Sequence, residues 1–163
     1  MAAINTGRGA ILEDFNFKVK WDGQYISGIS KVSPLVRTTE VVEHRDGGSP
    51  TVSSKSPGRT SYQPITLERG RSLDNAFETW ASLVQGSAPG NTGEAAEFRK
   101  EITIDFFDMV GRRVLSFNVF RCWPSRYETL SALDANGAAV VYEVLTLEHE
   151  GWARDLSVVP PAS

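Results

Sequence analysis

The fold of this chain is decided by residues 15–48, FNFKVKWDGQYISGISKVSPLVRTTEVVEHRDGG, and by residues 56–70, SPGRTSYQPITLERG. In both stretches, short runs that alternate apolar and polar side chains are separated by glycine, proline or Asp-Gly pairs. A period of two between turn signals predicts β-strands that each bury one face. We therefore expect a mainly β domain, and neither stretch contains a constellation of catalytic residues.

The first strand is predicted over 15–21, where large apolar residues occupy every second position. An Asp-Gly pair at 22–23 follows directly and is a strong signal for a hairpin turn. A second strand is predicted over 24–32. It ends before Pro34, because proline cannot donate to a strand ladder.

The strand predicted over 36–45 differs from the others because neither of its faces is wholly apolar. Each face mixes valine with threonine and charged residues. The half-buried strand of a monomer normally alternates more cleanly. A strand that faces an aqueous channel or a polar interface would have this composition, and so would a solvent-exposed edge strand.

Residues 46–60, DGGSPTVSSKSPGRT, predict a long loop or a floppy hairpin, since Gly, Ser and Pro dominate the segment. Loops of this length inside compact domains are usually functional or disordered. The strand predicted next, over 63–69, places Ile65 and Leu67 toward the core and stops at Gly70.

One helix is predicted over 73–85, with Ser72 as its N-cap and Gly86 as its stop. Its apolar residues fall on one face at helical spacing: Leu73, Ala76, Phe77, Trp80, Ala81 and Val84. We interpret this face as core packing and not as a ligand surface. The core residues of the helix are then Phe77, Trp80 and Val84.

Three more strands are predicted in the second half of the chain, over 100–108, 112–123 and 138–148. The last of them is apolar on both faces, which requires cover on both sides. In so small a domain, a neighbouring subunit could supply the second cover. A possible extra strand within 126–133 brings the count to seven or eight. With one packed helix, this predicts a β-sandwich or small barrel of the mainly β (α+β) class.

Composition excludes several classes of function. The chain has 163 residues, 40% of them hydrophobic and 23% charged, which suits one globular domain. A net charge of −3 does not favour nucleic-acid binding by counterion release. Cys122 is the only cysteine, so a disulfide framework and a cysteine-rich zinc site are excluded. Without a signal-peptide or membrane-helix pattern, we expect synthesis in the cytoplasm and no membrane anchoring.

No catalytic, cofactor or metal site is predicted. The two histidines, His44 and His149, do not form an HExxH motif, and no nucleophile elbow or phosphate-binding loop is present. The consecutive residues 148–150 could bring at most two ligands to one metal, because neighbours on a strand point to opposite faces. A structural protein is therefore favoured over an enzyme.

Several local patterns, in their order and spacing, resemble the tail-tube (inner tube) protein family of contractile-tailed phages and contractile injection systems. They are FNFKVKWDG with ISGISKVSPL, TEVVEHRDGG, PGRTSYQPITLERG before a helix ending FETWASLV, ITIDFFDMVGRRVLSFNVFRCWPSRY, and LSALDANGAAVVYEVLTLEHEG. Together they cover about 14–152. The connection over 86–97, rich in small residues, departs from the family pattern, and no family role is carried onto it.

The resemblance implies a structural subunit with a tail-tube-like sandwich or barrel that assembles as hexameric rings. The rings would stack into a hollow tube for DNA or protein cargo. The implied partners are further copies of the chain, a contractile sheath protein, a baseplate or tube initiator, and tape-measure and tube-terminating proteins. The final location would be a phage virion tail or a phage-tail-like particle.

Within that frame, two sets of residues become candidate contact sites. The strand over 36–45 is a candidate to face the lumen, through Arg37, Thr39, Glu43 and Arg45. The segment that follows is a candidate inter-ring loop, through Asp46, Gly47, Gly48, Ser49, Lys55 and Arg59.

The sequence predicts three parts: a flexible N-terminal arm at 1–12, a single domain at 13–152, and an extended C-terminal tail at 153–163. Two alternative functions remain open. One is a tube relative, either a baseplate-proximal initiator or an effector-carrying ring. The other is a β-sandwich module that binds carbohydrate or protein, which should stay monomeric and show a concave aromatic patch.

Overall fold

The computed structural model describes residues 13–45, 47–48, 51, 53–86, 98–137 and 140–160. These residues form a mainly β domain with one helix, which confirms the predicted fold class. The elements are β1 (Asn16–Trp21), β2 (Gln24–Ile26), β3 (Ile29–Val32), β4 (Arg37–Arg45), β5 (Ser53–Tyr62), β6 (Ile65–Gly70), α1 (Ala76–Gly86), β7 (Lys100–Phe107), β8 (Arg113–Glu128), β9 (Tyr142–Glu148) and β10 (Trp152–Arg154).

Eight of the strands form one antiparallel sheet in the order β2-β1-β7-β8-β9-β6-β3, with β10 also paired to β8. The long strand β8 pairs through its first part with β7 and β10, and through its last part with β9. It therefore divides the sheet into two half-sheets, one with β2, β1, β7 and β10 and the other with β9, β6 and β3. Arg121, with a φ of 51°, lies just before the change of partner. The sheet thus bends around a core instead of remaining flat.

The core lies between the two half-sheets. Its fully buried members come from both, for example Val19 and Ile102 on one side and Leu67 and Leu145 on the other. Because β2 and β3, the two end strands of the sheet, are consecutive in the chain, the barrel is nearly closed at their connection. The predicted strand over 24–32 is interrupted there by Gly28, whose φ of 79° suits glycine.

Helix α1 closes one end of this barrel. Phe77 and Trp80 are completely buried, and both rings contact Trp21, with centroid separations of 5.9 Å and 4.9 Å. The Trp80 indole N–H donates to the Phe98 carbonyl at 2.8 Å, so its polar atom is satisfied. Val84 is only half-buried.

The helix begins later than the sequence predicts, at Ala76 instead of residue 73. The Asp74 carboxylate accepts a hydrogen bond from the Ala76 amide at 3.0 Å and therefore caps the first turn. The Arg69 guanidinium also binds the Asp74 carbonyl and carboxylate, which holds the preceding residues off the helical path. Leu73, predicted on the buried face, is fully exposed.

The strand predicted over 138–148 also differs in the structure. Strand β9 begins at Tyr142 and alternates cleanly between buried and half-buried residues. Its buried side includes Glu143, whose charge is balanced by two arginines, so a carboxylate occupies a core-facing position. The buried face is therefore not wholly apolar, while cover of the other face by a neighbouring subunit stays a prediction.

Of the segment over 46–60, predicted as a long loop or a floppy hairpin, the residues from Ser53 onward form the second strand of a hairpin with β4. Strand β5 pairs with β4 from Ser53 to Tyr62, with a register shift between Thr39 and Val41. A Cβ at Gly58 would lie 2.9 Å from Val42 Cγ2, so glycine is needed at this irregularity. Local composition left a loop and a hairpin open because it does not record this pairing.

Some predictions fall partly or wholly on residues outside those described, namely the N-terminal arm at 1–12 and most of the connection over 86–97. Of the predicted tail over 153–163, residues 153–160 are described. They include the end of β10 and Val158, which is buried.

Candidate functional site

The β4–β5 hairpin forms a two-stranded sheet separate from the main sheet. Every residue of β4 is exposed, including Val41 and Val42, and β5 is nearly as exposed. Its hydrogen bonds between the two strands are polar, such as the 3.0 Å contact between the Thr39 and Thr60 hydroxyls. Only its base, through Arg37 and Tyr62, contacts Trp152 and His149. A two-stranded hairpin with no apolar face packed on a core is at best marginally stable in water.

The residues predicted to face a lumen all lie on β4. The Arg37 guanidinium stands over the Trp152 ring, 5.6 Å from its centroid, at the base of the hairpin. Thr39 bonds across to β5, and Glu43 lies 3.8 Å from the Lys55 ammonium. Arg45 ends the strand and is exposed.

The candidate inter-ring residues are divided between a turn and a strand. Gly47 and Gly48 lie in the turn that follows β4, whereas Lys55 and Arg59 belong to β5 and not to a loop. The other two, Asp46 and Ser49, lie outside the described residues.

An apolar groove of about 460 Å³ opens beside the base of the hairpin. Its wall is a chain of aromatic edge contacts, from Phe15 to Phe106, Phe117 and Trp152, with centroid separations of 5.3, 6.4 and 6.0 Å. None of the lining residues that the structure describes is charged. The Trp152 indole nitrogen is buried and has no hydrogen-bond partner within the described part of the chain.

At the start of α1, a buried cluster of charged groups joins four elements. Glu143 accepts hydrogen bonds from Arg69 Nε and Arg71 Nη1, both at 2.8 Å, and from the Tyr127 hydroxyl at 2.6 Å. The Arg69 guanidinium also stacks on Phe77, 4.2 Å from the ring centroid. Removing Glu143 or Arg69 would leave a buried charge without its main partner.

Two pKa shifts follow from this cluster. Burial would raise the pKa of the Asp74 carboxyl, but the hydrogen bonds from the Ala76 amide and the Arg69 guanidinium outweigh burial and lower it. Burial, and next the hydrogen bond to Glu143, raise the pKa of the Tyr127 hydroxyl. Tyr127 therefore remains a hydrogen-bond donor near neutral pH.

Sequence reasoning missed this cluster. A signal was available, since Arg69 lies near the end of a strand that is apolar at every second position, and Arg71 directly follows that strand. Glu143 is likewise a single carboxylate in an apolar run. Opposite charges at such positions indicate a buried ion pair when their strands are neighbours, and here Arg69 pairs directly with Glu143 in the ladder.

The other reactive side chains are held in structural roles. Burial raises the pKa of the Cys122 thiol to about 12, so it remains protonated and unreactive at neutral pH. His149 lies 2.8 Å from the Gln63 carbonyl and packs near Tyr62. Among the residues that the structure describes, no three His, Cys, Asp or Glu side chains are grouped as metal ligands. No helix in that part of the chain has the length and apolar character required to cross a bilayer.

The model of the T4-like virus tail tube protein gp19 family matches residues 13–153, which is most of the chain. The chain belongs to this tail tube family. The match confirms the resemblance seen in the sequence, and it confirms a structural, non-enzymatic component of phage tails or contractile injection systems. A search of curated proteins gives no significant match.

Solved structures share the tail tube fold at low sequence identity. A chain of the PVC sheath–tube complex, an extracellular contractile injection system in its extended state, is 23% identical with a TM-score of 0.69, covering 85% of this chain and 87% of that one. A chain of the PVC sheath/tube terminator is 22% identical with a TM-score of 0.73, covering 90% and 98%. A chain of the anti-feeding prophage baseplate is 18% identical with a TM-score of 0.72, covering 90% and 95%.

Proposed function

We propose that this tail tube protein assembles as hexameric rings that stack into a hollow tube for the passage of DNA or protein cargo. The observation that carries the proposal is the β4–β5 hairpin, which is separate from the main sheet and exposed on both faces. Ordering about twenty residues costs conformational entropy that the polar contacts of the hairpin do not offset. Contacts with a neighbouring subunit would supply the missing stabilisation.

Stacking would use the turn at the end of the hairpin. Gly47 and Gly48 lie at this turn, and Lys55 is the nearest charged residue of β5 in the candidate set. A hairpin that extends away from the barrel can reach a subunit of the next ring. Contacts of this heterologous kind continue in one direction without closing, which produces a tube.

The lumen would be lined by β4, with Arg37, Thr39, Glu43 and Arg45 toward water. These four side chains carry both signs of charge. Mixed signs avoid a strong field of one sign, which would bind a charged cargo too tightly for it to pass.

Engineered cysteines test the lumen assignment. We expect Arg37→Cys and Glu43→Cys to react with a bulky maleimide more slowly in assembled tubes than in free subunits. Ser82→Cys, on the exposed face of α1, is the matched control and should react at a similar rate in both states. Equal rates at all three positions would place β4 away from the lumen.

The partners proposed for this chain follow from the particles in which its structural neighbours occur. Those neighbours come from a sheath–tube complex, a sheath/tube terminator and a baseplate. We expect this chain to form a tube inside a contractile sheath. The tube would begin at a baseplate or initiator, have its length set by a tape-measure protein and end at a terminator. It would be made in the cytoplasm before it joins the particle.

Negative-stain electron microscopy of purified protein, with light scattering at micromolar concentration, tests the assembly directly. We expect rings about one subunit thick and tubes built from them, without added ligand. A protein that stays monomeric at all concentrations would contradict the proposal. Rings that never stack would contradict the proposed tube and support only the proposed ring.

A further inference from the structure

We propose that the barrel itself sets the direction of the β4–β5 hairpin, through a base cluster formed by Tyr62, His149 and Gly151. The base cluster holds the near end of the hairpin in the free subunit, so the hairpin already has its direction when it meets a neighbouring subunit. The consequence for assembly rests on the proposed function, and the base cluster names the residues that position the assembling element.

Tyr62, the last residue of β5, packs against the turn between β9 and β10. The centroid of its ring lies 5.7 Å from that of the His149 ring. Gly151 is buried, and a Cβ at this position would lie 3.2 Å from Tyr62 Cζ. With a φ of 139°, Gly151 also has a backbone conformation that other residues rarely adopt. Glycine is therefore needed where the hairpin meets the barrel.

His149 connects the hairpin to this turn through both of its ring nitrogens. The Gly151 amide is a donor, so it donates to His149 Nδ1, at 3.2 Å. The Gln63 carbonyl, just after β5, is an acceptor, so His149 Nε2 donates to it, at 2.8 Å. These two contacts select one neutral tautomer and fix the plane of the ring on which Tyr62 packs. One side chain thus positions the end of the hairpin relative to the turn.

The turn over 149–151 is itself fixed to β8. The Phe120 amide donates to the Gly151 carbonyl at 2.8 Å, and the Glu150 amide donates to the Phe120 carbonyl at 3.0 Å. The Arg121 guanidinium lies 2.8 Å from the Glu150 carboxylate. Because β8 belongs to both half-sheets, the turn is a fixed part of the barrel.

A fixed base matters because the hairpin is long. The nine residues of β4 span roughly 30 Å. A rotation of about 10° at the base would therefore move the far end by about 5 Å, which is more than the separation at which side chains make contact. The far end reaches the same site on another subunit each time only if the base is held. An element positioned in advance also loses less conformational freedom on binding.

The distance between two spin labels tests this positioning in the free subunit. The labels are attached at Glu40→Cys, in the half of β4 nearest to the base, and at Ser82→Cys, on the exposed face of α1. The buried Cys122 thiol is protonated at neutral pH and should not be labelled. Double electron–electron resonance is measured at a concentration at which light scattering shows monomer.

We expect a narrow distance distribution in the parent protein. His149→Ala should broaden it by about 5 Å, which corresponds to a swing of about 30° at a position roughly 10 Å along β4 from the base. The broadening should occur without a change in the melting temperature of the barrel, because His149 lies outside the main core.

Two further changes serve as matched controls. His44→Ala removes the other histidine, whose Nε2 lies 3.1 Å from Ser56 Oγ inside the hairpin, and should leave the distribution narrow. Tyr62→Phe keeps the ring against Gly151 and should also leave it narrow, whereas Tyr62→Ala should broaden it. If His149→Ala lowers the melting temperature, the comparison of the two Tyr62 variants decides the question.

The outcomes separate the base cluster from the assembly. A distribution that is as broad in the parent protein as in His149→Ala, or equally narrow in all variants, would overturn the base cluster and leave the proposed function intact. His149→Ala should form rings only at a protein concentration about tenfold higher than the parent protein, because the hairpin must then be ordered on assembly. Equal concentrations would show that the base cluster does not position the hairpin for assembly. A parent protein with a narrow distribution that never forms rings would instead contradict the proposed function.

Discussion

The barrel and the β4–β5 hairpin carry the same type of ion pair in opposite environments. In the barrel, Arg69 and Glu143 are 2.8 Å apart and both are completely buried. In the hairpin, Lys55 and Glu43 are 3.8 Å apart with more than half of each side chain exposed. Breaking a buried pair leaves an unpaired charge in the core, whereas an exposed pair contributes about 0–1 kcal/mol to the free energy of unfolding. The barrel therefore holds itself together, and the hairpin depends on what it contacts.

The largest difference between the barrel and the hairpin is expected when one partner of each ion pair is removed. Glu143→Ala leaves the buried Arg69 with only the partly exposed Asp74 carboxylate as a partner. The change should lower the free energy of unfolding by about 3–5 kcal/mol. The matched change Glu43→Ala should alter it by less than about 0.5 kcal/mol. Urea denaturation of both variants measures the difference. Similar losses would mean that the hairpin is as tightly integrated as the barrel.

Trp80→Ala tests whether the barrel end under α1 is core and not interface. Removal of this completely buried side chain and its contact with Trp21 should cost about 3–5 kcal/mol. Since small domains hold about 5–15 kcal/mol in total, soluble subunit should be lost first and assemblies as a consequence. An unchanged melting temperature with a failure of assembly alone would assign this face of the helix to a subunit contact.

Shortening the hairpin should reverse that order of effects. Replacing residues 44–54 by Asn-Gly keeps the register of Glu43 opposite Lys55 and removes the turn. The free energy of unfolding should change by less than about 0.5 kcal/mol, while tubes disappear from electron micrographs. Normal tubes from this variant would show that the end of the hairpin has no part in stacking.

The smallest expected effect concerns acid stability at the start of α1. Because the pKa of the Asp74 carboxyl is lower in the folded protein, its contribution is complete above about pH 4 and is lost as the pH falls through the folded pKa. With 38% of the Asp74 side chain exposed, solvent screening keeps the effect small. The free energy of unfolding should fall more steeply below pH 4 in the parent protein than in Asp74→Asn, measured by urea titration. Parallel curves would show that the Asp74 carboxylate does not stabilise the start of the helix.

Much of the barrel could be predicted from alternation alone, because a buried face leaves a period-two record in the sequence. That record located β1, β6 and β7, and helical spacing located Phe77 and Trp80. Family motifs spread over 14–152 also predicted the tail tube assignment. In these regions, local pattern and tertiary environment agree.

The failures share one physical cause, which is a partner distant in sequence. Glu143 is buried because Arg69 and Arg71 lie beside it. A single carboxylate in the sequence does not indicate that burial. Strand β5 forms because β4 pairs with it, although SSKSPGRTSY has few strand-forming residues. The groove is assembled from separate strands and has no local pattern at all.

Strand β8 has a mechanical consequence. It is a single run of 16 residues that belongs to both half-sheets, so an unbroken covalent backbone connects them. A load that pulls the half-sheets apart along this strand is resisted by many ladder hydrogen bonds in shear at once, since those bonds run perpendicular to the strands. The hairpin, pulled at its turn, would instead separate one bond pair after another. The subunit is thus stiff along β8 and compliant at β4–β5.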